Sequence, residues 1–129
     1  MENRKYRFGA IWQISDKEIK FPKNLFRTYH NSRLVVIIEN SDLNFDKKED
    51  FILIAPLSSV TLEHHNQDIL IEPDDFNKID KKSYIRMRAI QFIEKSSLKH
   101  YIGKTSNEIK SDILFTLNSY FNNGQVTND

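Results

Sequence analysis

Three short stretches of this sequence set cations and hydroxyls where they could act on a phosphate. Arg33 heads the apolar run "RLVVIIEN" (33–40), Ser58 and Ser59 close "FILIAPLSS" (51–59), and Arg86 and Arg88 fall within "SYIRMRAIQFIEK" (83–95). Arginine beside a hydroxyl suits a phosphodiester: the guanidinium fork neutralises phosphate charge, and the hydroxyl hydrogen-bonds a non-bridging oxygen. The same residues have a plainer reading. Arg33 would then be a gatekeeper charge that keeps an apolar strand from aggregating, and the serines a hydroxyl pair satisfying a strand end. Spacing alone does not separate the two.

Lys81, Lys82, Arg86, Arg88, Lys95 and Lys99 stand against Glu94 alone between positions 81 and 99. Such a run is either a solvated face or a track for an RNA backbone, with Tyr84 or Phe92 available to stack a base. Other chemistry is thinly supported. Adjacent His64 and His65 point apart in a strand or loop and lack a partner at metal-ligand spacing, so no metal is expected and both read as solvated. The acids of "KKED" and "EPDD" sit in loops and read as surface, not as a hydrolase's carboxylate pair. No cofactor is expected.

The elements that must position these residues are mostly strands. "FGAIWQI" (8–14) reads as the first strand, and 15–31 as a long connection interrupted by Pro22, a length that in a small domain suggests function. Leu34 to Ile38 has no polar alternation, which predicts a strand covered on both faces. The run from Phe51 is a second such strand, expected to stop at Pro56. If these two are antiparallel neighbours, Arg33 meets Ser58 and Ser59 at one rim. "ILIE" (69–72) follows, then a helical turn from Pro73. Alternation from Tyr84 puts Tyr84, Arg86 and Arg88 on one face, and a short helical stretch is expected near 96–101. Thr105-x-x-Glu108 reads as a capping box opening a helix whose stripe is Ile109, Ile113, Leu117 and Tyr120. Strands first and one main helix last imply a mainly β fold with helical trim.

At 129 residues the chain holds one domain (1–129), with a core over about 9–121 and a polar tail at 122–129. A formal net charge of +1 marks neither a nucleic-acid binder nor an acidic-ligand binder by itself, so local clustering must carry any such reading. Three glycines rule out Gly-rich phosphate loops, and the lack of cysteine removes thiol chemistry and suits a reducing cytosol. No stretch approaches membrane-spanning length and no signal peptide is visible, so a cytoplasmic protein without membrane contact is expected.

"GAIWQI", "RLVVIIENSDLN", "FILIAPLSS" and "SYIRMRAIQFIEKSSLKHYIGKTSNEI", in that order and spacing, resemble the MazF/PemK (Kid) toxins of bacterial type II toxin-antitoxin systems, from about Gly9 to Phe121. The resemblance implies an SH3-like small β-barrel (CcdB/MazF-type), a homodimer, a cognate antitoxin as partner, and metal-independent endoribonuclease activity on single-stranded RNA. It also implies roles. Arg33 matches the family's catalytic Arg, Ser58 the catalytic Thr or Ser of "PLTS", Ser59 its following Ser, and Arg86 an Arg catalytic in the Kid branch. In that scheme the ribose 2′-hydroxyl attacks the adjacent phosphate, Arg33 and Ser58 stabilise the phosphorane, and Arg86 assists or protonates the leaving 5′-oxygen. Ser59, Tyr84, Arg88, His30 and Lys82 would contact RNA. An antitoxin with an acidic, disordered tail would lie across residues 81–99.

The departures are specific. Ala10 stands for the usual acid after the first Gly, Leu34 for the usual Pro after the Arg, and Arg88-Ala89 for an acid followed by Gln. The general base is thereby left unassigned; His30 would serve if it is not simply solvated. Two rival functions follow: a catalytically inactive barrel that holds RNA or an antitoxin, and, ranked last, a CcdB-like gyrase poison. Such poisons work through an apolar C-terminal tail, whereas "NNGQVTND" is polar.

Overall fold

The structure is a computed structural model and describes residues 5–21, 31–39, 42–60 and 64–122. Seven strands form one sheet: β1 (Ala10–Ser15), β2 (Ser32–Ile37), β3 (Phe51–Ser59), β4 (Ile69–Ile71), β5 (Ser83–Ile85), β6 (Gln91–Glu94) and β7 (His100–Lys104). Among the described residues a single α-helix, α1 (Asn107–Asn122), follows. Every strand pairing is antiparallel, in the order β4-β5-β3-β2-β1-β7, with β6 also pairing β3. The sheet curls into a half-barrel whose path ends at β4 and β7, so the expected mainly β fold is found. No helix among the described residues is long and apolar enough to cross a membrane.

The unbroken apolar runs are explained by two cores. Val35, Val36 and Ile37 in β2 are fully buried, and successive side chains enter opposite layers. Val36 joins Ile11, Ala55, Ile85 and Ile113 of α1, whereas Val35 and Ile37 join Trp12, Ile14, Ile52, Ile54 and Ile93. A strand lined by two cores has no solvent face on which polar residues could alternate.

β3 does not stop at Pro56; it runs on to Ser59 and, on the edge away from β2, serves two partners along its length. Phe51–Ile54 pairs with β6 and Leu57–Ser59 with β5. Pro56 lies at the fork, where its carbonyl accepts from Arg86 N at 2.8 Å. In an antiparallel ladder a residue's N–H and C=O face the same neighbour, so the missing Pro56 N–H falls where one partner has ended and the next begins.

Other expectations shift in register. The stretch 73–82 forms turns, with Asp74 Oδ1 accepting from Phe76 N and Asn77 N, and no helix. Lys95–Ser97 makes one 3₁₀ turn, and His100 onward is strand β7. The helix cap is Ser106, whose Oγ accepts from Ile109 N at 3.2 Å; Thr105 instead donates its hydroxyl to Gly9 O at 3.0 Å. Gly103 permits a close crossing: a Cβ there would lie 2.4 Å from Phe76 O and 2.7 Å from Asn77 O.

Candidate functional site

β2 and β3 are antiparallel neighbours with Val35 opposite Pro56, which carries Arg33 to the end of β3. Arg33 Nη1 donates to Leu57 O at 2.9 Å. Its Nε donates to Asp16 Oδ1 at 2.6 Å, and Nη2 lies 3.5 Å from Asp16 Oδ2. Asp16 comes from the 3₁₀ turn Asp16–Glu18 that follows β1. The side chains of Arg33 and Asp16 are only 7% and 1% exposed. Arg33 is therefore a nearly buried cation with a carboxylate on its fork, set into the sheet end, not projecting from a rim.

Arg33, Ser58 and Ser59 line one open cleft of about 460 Å³. Gln13, Ser83, Lys78 and Lys81 also border it, and Asp80 is an acid at its edge. Lys78, held with φ of 56°, escaped notice in the sequence because nothing in its immediate pattern marks it, and Lys81 stood out there only as part of the basic run. Lys82, by contrast, forms an exposed ion pair with Glu72 at 3.4 Å and does not line the cleft.

A second cluster sits beside Ser58. β3 and β5 pair Ser58 with Tyr84, and Arg86 follows directly after β5. Arg86 Nε donates to Ser58 Oγ at 2.5 Å, and Nη1 donates to Asp68 Oδ2 at 2.6 Å. The Arg86 and Asp68 side chains are 9% and 2% exposed. Arg86 Nη2 has no hydrogen-bond partner among the described residues. Because Ser58 Oγ accepts from Arg86, its own proton remains available for donation. Tyr84 lies beneath two groups: the His64 ring stacks on it at 4.4 Å, and the Arg86 guanidinium is 5.5 Å from its centroid. His64 is thus exposed but packed.

Arg86 and Arg88 do not share a strand face. The strand ends at Ile85, and Met87–Ala89 turns as a 3₁₀ helix that buries Met87 and Ala89. Arg86 is drawn inward, while Arg88 is exposed and lies 5.5 Å over the ring of Tyr120 in α1. Burial raises the Tyr120 hydroxyl's pKa above its ordinary 10.0, an effect that nearby Arg88 opposes and the charge of Asp68 reinforces. The basic run 81–99 is likewise dispersed: Arg86 pairs with Asp68, and Lys95 Nζ donates to Asp46 O at 2.9 Å. His30 lies outside the described residues. Among the described residues no three His, Cys, Asp or Glu side chains converge as a metal site.

A curled antiparallel sheet followed by one C-terminal helix is a fold that solved structures of small β proteins share. The Mycobacterium tuberculosis toxin MazF-mt6 shares this fold with a TM-score of 0.64 at 14% identity, over 87% of this chain and 95% of that one. An endoribonuclease in complex with its cognate antitoxin from a mycobacterial species gives 0.60 at 13% identity, over 88% and 89%. The MazE–MazF structure from Deinococcus radiodurans gives 0.61 at 8% identity, over 90% and 93%. No curated protein sequence matches the chain. The sequence profile described as PemK-like, MazF-like toxin of type II toxin-antitoxin system matches residues 11–121, and the chain belongs to that family.

Proposed function

We propose that the protein is an RNA-cleaving toxin that cuts single-stranded RNA without a metal ion. The observation that carries this reading is the convergence of Arg33, Ser58 and Ser59 on one open cleft in a chain of this family. In the reaction, the 2′-oxygen forms a bond to phosphorus and the bond to the 5′-oxygen breaks. The 2′-hydroxyl gives up its proton to a base, and the leaving 5′-oxygen gains one. Arg33 and the Ser58 hydroxyl stabilise the charge that builds on the phosphorane oxygens. The unpartnered Nη2 of Arg86 supplies a further donor to phosphate or to the leaving oxygen. Lys78 and Lys81 extend the cationic lining along the cleft, and Ser59 adds a polar contact. RNA as substrate sets the place of action in the cytoplasm.

Two of the structural relatives are complexes with an antitoxin. The corresponding partner here is an acidic segment that competes with RNA for the Arg33–Lys81 cleft. A homodimer lengthens the groove beyond what one small domain offers, and light scattering at micromolar concentration reads it directly.

A binding module without turnover has one observation in its favour: Asp16 and Asp68 already neutralise the two site arginines. The deciding experiment is incubation of purified protein with end-labelled single-stranded RNA in excess chelator. Fragments ending in a 2′,3′-cyclic phosphate, with 5′-hydroxyl partners, support the nuclease. Retarded but uncut RNA supports the binding module.

A further inference from the structure

Asp68 belongs to no apolar run, cap or charged cluster, yet its carboxylate is 2% exposed and 2.6 Å from Arg86 Nη1. Its place is fixed by a tight turn. His65 N donates to Asp68 Oδ2 at 3.0 Å, and Asp68 N donates back to His65 O at 2.9 Å. The residue before that turn, His64, stacks on Tyr84, and the residue after it, Ile69, opens β4 and pairs with Ile85. One short segment is thus anchored to β5 at both ends, with a carboxylate between the anchors.

The consequence falls on Arg86. A free guanidinium on a flexible stem samples many orientations, and fixing it costs side-chain entropy. With Nη1 held by Asp68, the planar fork leaves Nε aimed at Ser58 Oγ and Nη2 unpartnered. We propose that Asp68 is a positioning residue: it orients Arg86 so that Nε holds the Ser58 hydroxyl as an acceptor, which turns the hydroxyl proton toward the phosphate. This rests on the nuclease reading above. Asp68 itself takes no proton in this scheme, being shielded from the cleft and already committed to Arg86 and to the His65 N–H.

The test uses Asp68→Asn, which keeps shape and an acceptor oxygen but removes the charge that locks Arg86. Two readouts are needed. In cleavage of a labelled RNA, kcat should fall about ten- to hundredfold, the scale of groups that orient a working ligand, with KM changed by less than about threefold. In an Arg86→Met background, which fills the vacated volume, Asp68→Asn should change kcat by less than about twofold, since its effect passes through Arg86. The second readout is independent of activity: the Arg86 Nε–H resonance in nitrogen-15 spectra should be resolved and slow to exchange in the parent protein, and should lose that protection in Asp68→Asn. Parental kcat in Asp68→Asn, or the same fold-loss with and without Arg86, overturns the proposal. So does an unchanged Nε–H signal. A parent protein that leaves RNA uncut overturns the nuclease reading instead, and the spectrum then still decides whether Asp68 holds Arg86 on Ser58.

Discussion

Arg33 and Asp16, from opposite ends of the β1–β2 connection, form a buried ion pair with Nε 2.6 Å from Oδ1 and both side chains at or below 7% exposure. A buried pair resists the loss of either member, because the survivor is left as an uncompensated charge. Arg33→Ala should therefore lower unfolding free energy by about 3–5 kcal/mol as well as abolish any role at phosphate. Urea unfolding measures it, and Arg33→Ala combined with Asp16→Ala should cost less than the sum of the two single changes. An additive result would mean that the pair does not hold in solution.

Ser58→Ala removes both the acceptor of Arg86 Nε and the proton assigned to phosphate. Cleavage should fall about a hundred- to thousandfold, the scale of one lost transition-state donor. Ser58→Thr keeps the hydroxyl and should stay within about tenfold of the parent in the same RNA assay. Equal loss in both variants would point to packing, not to the hydroxyl.

Gly103→Ala places a methyl 2.4 Å from Phe76 O, against backbone that is itself tied to Lys104 N at 3.0 Å. Neither partner can yield cheaply. The cost should be about 1–3 kcal/mol, read as a lower midpoint in thermal unfolding.

Tyr120 carries a hydroxyl whose pKa is raised above 10.0 chiefly by burial. Its folded pKa exceeds the unfolded value, so the folded state binds the proton more tightly. The resulting stability is fully present below about pH 10 and is lost as pH rises through the folded pKa. Tyr120→Phe should flatten that alkaline decline in a pH series of urea midpoints; an unchanged slope would place the effect elsewhere.

The parts that were legible in the sequence are those dictated by repeated local pattern. Leu34–Ile38 and Ile52–Ala55 lack polar alternation because each is lined by two cores, and their antiparallel pairing follows, which brings Arg33 to Ser58. The carboxylates were not legible. Asp16 and Asp68 are two among 18 acids, and only long-distance folding selects them for burial beside arginines. The resemblance gave position 88 to an acid, yet the carboxylate beside Arg86 comes from Asp68, eighteen residues before that arginine. The alternation through Tyr84, Arg86 and Arg88 misled because a period of two says nothing about where a strand ends; burial of Met87 and Ala89 in a 3₁₀ turn ends this one. The cap slipped by one residue because Thr105 and Ser106 are both hydroxyl residues, and Gly9 O takes the first.

β1 pairs on one side with β2 and on the other with β7, so β1 finds its second neighbour only when β7 has been made. During synthesis the edge of β1 stays open until Lys104 has left the ribosome, and α1, which supplies Ile113 to the core, follows still later. The half-barrel is therefore completed only once β7 and α1 have been made. For a chain read as a destroyer of RNA, that order delays the finished cleft, which Ile102 of β7 helps to line, behind the strands that carry Arg33 and Ser58. Ribosome-stalled chains ending near residue 100 should be open to protease where the released protein is closed.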